Sequence, residues 1–194
     1  MTARTCPADV AGIGEAVACL GRGGVIALPT DTVYGIGADA FDATAVQGLL
    51  DAKERGRDMP PPVLIAEPSM LRAIADEVPA GAAALAKAFW PGALTLVVPV
   101  SETSPVCELA RAGLPSLAIR VPDHPVAQAI LTAADRPVAA PSANRSGHLS
   151  PSLATHVLAD LDGIIDALVD GGPTEIGVES TILGCLDEAV VMLR

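Results

Sequence analysis

The stretch GGVIALPTDTVYGIG, residues 23–37, decides how the chain folds. Its unbroken apolar run VIAL at 25–28 reads as a short buried strand, and Pro29, which has no N–H to offer a neighbouring strand, stops it. Thr30, Asp31, Thr32, Gly35 and Gly37 then read as a glycine-containing loop. On the N-terminal side, Val10, Ile13, Val17 and Leu20 recur at helical spacing. Pro7 stands near their start and Gly21, Gly23 and Gly24 at their end, which gives an opening helix closed by glycines. On the other side, Asp42 can cap a helix whose apolar face is Val46, Leu49 and Leu50 and which runs to about Lys53.

The same alternation continues along the chain. A charged loop at 54–62 leads to a strand at 62–66, a helix from Pro68 through Leu71 and Ile74, and an Ala-rich helix at 79–89 that breaks at Trp90, Pro91 and Gly92. Strands are expected at 93–98, 117–121, 137–140 and 164–169, with a helix at about 124–133. Residues 181–183 and 189–193 form a terminal hairpin across Gly184 to Glu188. Strands and helices interleave without strict alternation. The expected fold is therefore α/β (α+β), a twisted mixed parallel/antiparallel sheet with flanking helices, rather than a doubly wound parallel sheet. No repeat or low-complexity linker divides residues 1–194, so they read as a single domain.

Composition removes several classes of function. The net charge is −11, from 12 Lys+Arg against 23 Asp+Glu, which disfavours a protein that coats nucleic acid or binds membranes through basic patches. One Trp, one Tyr and two Phe leave little material for base stacking. Cys6, Cys19, Cys107 and Cys185 are scattered without a C-x-x-C pair, as in reduced, cytoplasmic proteins. Neither a signal-peptide core nor a membrane-spanning run is visible, and no dedicated metal site is expected.

Familiar nucleotide and hydrolase motifs are absent: no P-loop, no G-x-G-x-x-G between strand and helix, no H-E-x-x-H, no G-x-S-x-G. Four polar clusters remain where strands meet loops. In PTDTVYGIG (29–37) the hydroxyls of Thr30 and Thr32 either close a turn or face a ligand that Gly35 and Gly37 let the backbone approach. KERGR (53–57) concentrates three of the 12 basic residues in five positions, with Gly56 lending flexibility. A helix end accounts for Lys53, whereas fixed cations around a polyphosphate account for all three. PSANRSGHLS (141–150) supplies hydroxyls, an amide and backbone N–H groups without charge, suited to phosphate, ribose or base, or simply to a capped loop. GVESTI (177–182) puts a hydroxyl pair at a strand entrance. Arg120, flanked by apolar strand residues, needs an anionic partner, either an internal carboxylate or that of a substrate. His124, His148 and His156 are isolated and read as cap or surface residues. No nucleophile–base set stands out, which points to catalysis by positioning and electrostatics.

Together and in this order, PTDTVYGIG, KERGR, SLAIRVPDHP (116–125), PSANRSGHLSP (141–151) and GVESTI resemble the YrdC-like family, the L-threonylcarbamoyladenylate synthases. The resemblance implies a twisted sheet around a concave cavity lined with basic residues. It implies a nucleotidyltransferase that joins L-threonine, bicarbonate and ATP, with Mg²⁺ carried by the nucleotide, into threonylcarbamoyl-AMP and pyrophosphate. Partner proteins then pass the threonylcarbamoyl group to the adenosine beside the anticodon of tRNA, which the enzyme itself binds weakly if at all.

Matched motif by motif, Lys53 and Arg55 would be catalytic and hold the ATP phosphates, with Arg57 on the same loop. Ser142, Asn144 and the nearby Ser150 would contact the AMP part, and Ser116 and Arg194 would also contact ATP. Thr30, Arg120 and Ser180 would form the threonine side. Many relatives have proline where this chain has Gly56, and longer members carry a linker and a second domain. Two other activities fit the same fold: an RNA-binding module, and a carbamoyl-adenylate step like that of hydrogenase-maturation carbamoyltransferases.

Overall fold

The computed structural model describes residues 2–75, 78–187 and 189–194. Ten strands lie in one mixed sheet, in the order β1-β8-β2-β3-β7-β4-β6-β5-β9-β10. In chain order they are β1 (Arg4–Pro7), β2 (Ile26–Leu28), β3 (Gly35–Asp39), β4 (Val63–Leu64), β5 (Leu94–Pro99), β6 (Ser116–Arg120), β7 (Val138–Ala139), β8 (Ala167–Asp170), β9 (Thr181–Gly184) and β10 (Val191–Met192). The helices are α1 (Val10–Gly21), α2 (Ala43–Ala52), α3 (Ala80–Phe89), α4 (Glu108–Arg111), α5 (Pro125–Ala134) and α6 (Ala154–Leu161). Parallel pairs (β1 with β8, β8 with β2, β4 with β6, β5 with β9) mix with antiparallel ones, as the interleaved sequence pattern required.

Strand pleating sorts the core onto two faces. Val25 and Ala27 point into one cluster, with Ile36, Leu49, Leu50, Ile119, Val157 and Leu168, under α2, α3, α4 and α6. Ile26 and Leu28 point the other way, into a cluster with Leu20, Ile130, Leu131, Val138 and Val169 under α1 and α5. Each such fully buried aliphatic side chain contributes about 1.5–3 kcal/mol.

Several local expectations change. The glycine-containing loop after Pro29 is shorter than expected, because Gly35 to Asp39 form β3, pairing Ile26 with Gly37 and Leu28 with Gly35. Glycine there is a packing requirement: a Cβ on Gly37 would stand 2.9 Å from Val138 Cγ1. In α1 the buried residues are Gly12, Ala16, Cys19 and Leu20, while Val10 is 89% exposed. The helix turns its small residues inward because it runs close to β1, and a Cβ on Gly12 would fall 1.9 Å from the Pro7 carbonyl oxygen. The segment after Pro68 is a 3-10 turn (Pro68–Ala73), not an α-helix. The strand expected at 164–169 is displaced to Ala167–Asp170, since Ile164 and Ile165 close the turn after α6 through bonds to Leu161 O.

β1, α4 and α6 were not anticipated. RTCP in β1 buries only Cys6 and has no apolar run to betray it. The terminal hairpin is present as β9 and β10, and Glu188 in its connection lies outside the described residues. All four cysteines are free thiols, and among the described residues no helix is long and apolar enough to cross a membrane.

Candidate functional site

The face of the sheet that α1 and α5 cover is only partly closed. Leu64 and Ala140, members of that buried cluster, also line a cleft that opens to solvent. Its walls come from the 29–35 connection, the 55–62 loop, the end of β6, residues 140–142 after β7, and the 179–182 entrance to β9, with Arg194 beside them. Of the residues singled out from the sequence, Thr30, Thr32, Gly35, Arg55, Arg120, Ser142, Ser180 and Arg194 line it.

Arg120 ends β6 with its side chain buried. Its guanidinium is fixed on three sides: Nε donates to Gly92 O at 2.9 Å, Nη1 to Thr32 Oγ1 at 2.7 Å, and Nη2 to Asp31. Asp31 also accepts from the Asp123 amide at 3.1 Å. Both partners open to Arg120 in the sequence are therefore compatible, because an internal carboxylate takes one N–H while a guanidinium has five. Two N–H groups are left without a partner among the described residues. Thr32 accepts from Arg120 and stands 3.0 Å from Thr30 Oγ1. Since Thr30 gives its own proton to Val33 O at 2.6 Å, the Thr32 hydroxyl donates to Thr30. Thr30 thus closes the turn, accepting also from the Thr32 and Val33 amides, and presents little more than its methyl and a saturated oxygen.

Lys53 follows α2 as its C-cap residue and is 2% exposed. Its ammonium donates to the carbonyls of Ser142 and Asn144 (2.6 Å for the latter) and to Asn144 Oδ1 at 3.4 Å, while its own carbonyl accepts from Ser146 N. Lys53 is thereby a strut beneath the 142–146 loop, not a lining residue of the cleft. Burial, with the Arg55 charge beside it, lowers its pKa from 10.5 to about 8. Asn144 is buried in the same knot and donates to Arg145 O and His148 O. Ser142 projects toward the cleft, and no hydrogen bond of its hydroxyl is found among the described residues.

Arg55 reaches the cleft wall, with Nε on Met59 O at 2.9 Å and Nη2 on Pro60 O at 3.3 Å. Burial lowers its pKa, opposed by the nearby Glu179. The turn that releases it from α2 is made by Glu54 at φ 55, in the left-handed region, and not by Gly56. Arg57 is exposed and outside the cleft, and no hydrogen bond or ion pair of its side chain is found among the described residues. Ser116 lies on the same strand face as Ala118 and Arg120, beyond the cleft's end.

At the far wall, Ser180 Oγ is 2.7 Å from Thr95 Oγ1. Arg194 is anchored through Nε to Ser180 O and by backbone bonds to Ile182, and its Nη1 pairs with Glu179. Ser150 donates to Glu179 Oε1 at 2.8 Å and does not line the cleft. Three residues that shape the site were not singled out as candidates from the sequence. Asp31 was read only as part of the turn after Pro29, and Glu179 lies in a segment read for its hydroxyls. Tyr34, whose hydroxyl donates to Gly172 O at 2.7 Å and accepts from Gly171 N, fixes the loop after β8, and burial raises its pKa to about 12. Among the described residues there is no group of three or more His, Cys, Asp or Glu side chains placed to hold a metal.

The Sua5_yciO_yrdC family, described as telomere recombination, matches residues 18–194. Threonylcarbamoyl-AMP synthase of Bacillus subtilis is 49% identical over 182 residues, which is 94% of this chain and 52% of that protein. The crystal structure of P. abyssi Sua5 complexed with L-threonine superposes with a TM-score of 0.93 at 41% identity, covering all of this chain and 57% of that one. E. coli YciO, 24% identical, shares the fold over 98% of this chain and 93% of its own, with a TM-score of 0.86. The chain thus spans about half the length of the B. subtilis and P. abyssi proteins.

Proposed function

The chain belongs to the Sua5/YciO/YrdC family, and from that premise we propose that it is an L-threonylcarbamoyladenylate synthase, making threonylcarbamoyl-AMP and pyrophosphate from L-threonine, bicarbonate and ATP. One observation carries the proposal. Arg55, Arg120 and Arg194 converge from separate segments on a single cleft with Ser142 and Ser180, on a protein whose net charge is −11. Positive charge is concentrated where a polyphosphate and a carboxylate would lie, which is what an anionic substrate pair demands.

In this reading the two spare N–H groups of Arg120 take the threonine carboxylate, and Ser180 borders the same subsite. The threonine amine captures CO2 derived from bicarbonate to give a carbamate. A carbamate oxygen forms a bond to the α-phosphorus of ATP while the bond to the bridging oxygen breaks, and pyrophosphate leaves with that electron pair. Arg55 and Arg194 meet the charge that develops on the phosphates and the leaving group, and they are held in place beforehand. Ser142 presents a free hydroxyl to the nucleotide, on a loop that Lys53 and Asn144 keep in register. No protein nucleophile is required. Mg²⁺ would enter on the ATP phosphates, which supply most of its ligands, and neutralise their charge.

The assignment of all 194 residues to one such domain, a cytoplasmic setting, and delivery of the product to tRNA-modifying partner proteins belong to the same proposal. Incubation with ATP, bicarbonate and L-threonine should release pyrophosphate and threonylcarbamoyl-AMP together. Pyrophosphate release that ignores threonine would overturn the substrate assignment.

A further inference from the structure

Two ion pairs border the cleft and they differ in kind. Arg120 and Asp31 are 7% and 5% exposed in their side chains, whereas Arg194 and Glu179 are 47% and 35% exposed. The first is a fixed piece of the wall. A solvent-accessible pair like the second is weak and exchangeable.

Glu179 is also the one carboxylate among the described residues that line the cleft. It takes the Arg194 guanidinium and the Ser150 hydroxyl at once, and its charge acts on Arg55 and Lys53. A single carboxylate therefore occupies the groups that an incoming polyphosphate would need. The backbone on which it rides is pinned at Ile176 N to Asp31 O and Gly177 N to Thr32 O, at 3.0 and 2.8 Å, so the side chain can swing without moving its segment.

We propose that Glu179 is the resident counter-anion of this cleft: it holds Arg194 and Ser150 in the free protein, yields them to the phosphates of ATP, and returns to expel pyrophosphate. The inference rests on the ATP reading above. A ligand that must displace an internal competitor binds with an affinity reduced by the competitor's occupancy, and the same competitor speeds the ligand's departure. Glu179 therefore exchanges some ATP affinity for product release.

The test is calorimetric titration of ATP, pyrophosphate and adenosine into the wild type and Glu179→Gln. Glutamine keeps the shape and the acceptor for Ser150 but removes the charge. Pyrophosphate and ATP should bind about fivefold tighter to the variant, adenosine equally, and the inhibition constant of added pyrophosphate should fall by the same factor. Equal or weaker binding of pyrophosphate would overturn the proposal, since a purely structural role predicts weakening. An equal gain for adenosine would overturn it too, as a change of shape rather than charge. If the wild type binds neither ATP nor pyrophosphate, the ATP reading itself falls, and that result is visible before any variant is compared.

Discussion

Asp31 accepts from Nη2 of Arg120, a residue that lines the cleft. The pair is almost wholly buried, and removing one member would strand the other's charge away from water. Asp31→Ala should lower unfolding free energy by about 3–5 kcal/mol in urea denaturation. Thr32→Ala, which removes a neutral acceptor from the same guanidinium, should cost about 1 kcal/mol. A loss below 1 kcal/mol for Asp31→Ala would show that Arg120 needs no internal partner.

Lys53 links the protonation of one side chain to two measurable trends. Its folded pKa of about 8 lies below the ordinary 10.5, so between these values the unfolded chain binds a proton that the folded chain lacks. The stability of the wild type relative to Lys53→Met should therefore rise from pH 8 to pH 10, by on the order of 2 kcal/mol. ATP capture should move the other way, its KM climbing above pH 8 as the positive charge beneath the 142–146 loop is lost. A flat stability difference across that window would mean that burial does not depress this amine.

Arg55 and Arg57 share one loop but differ in exposure, and their variants should separate cleanly. Arg55→Ala should raise the KM for ATP at least tenfold, as expected for loss of a charge-assisted contact. Arg57→Ala, outside the cleft, should change it less than threefold. Steady-state kinetics with ATP varied at saturating threonine and bicarbonate decides between them, and equal effects would relocate the phosphate subsite.

Gly37 offers a test of the sheet's centre. A methyl group there would press on Val138 Cγ1 at 2.9 Å and on Leu28 at 3.2 Å. Overpacking of this kind costs about 1–3 kcal/mol, so Gly37→Ala should lower the melting temperature by several degrees, whereas Gly48→Ala, with only a 3.7 Å neighbour, should not.

Legibility in the sequence followed the physics of each element. α2 was plain because Asp42 caps it, accepting from Thr44 N at 2.8 Å, and Val46, Leu49 and Leu50 all point inward. The mixed sheet was readable from the irregular interleaving of strands and helices. β3 was not, because its two glycines mimic a loop, and the contact that demands Gly37 lies about a hundred residues away in Val138. The inward face of α1 was misjudged for a similar reason: small residues won over large ones where two backbones run close. In the site, the segments were visible but the directions of their side chains were not. That Lys53 would bend under the 142–146 loop, and that Asp31 and Glu179 would each claim an arginine, depends on pairings between residues 15 to 91 positions apart, and no local pattern encodes them.

The strand order has a consequence for assembly. β9 lies beside β5, and Ser180, Ile182 and Arg194 complete the far wall of the cleft, about 150 residues along the chain from Thr30 on the opposite wall. The cleft therefore exists only once long-range strand pairing is complete, and a ligand that touches both walls reports on the whole sheet rather than on any one segment.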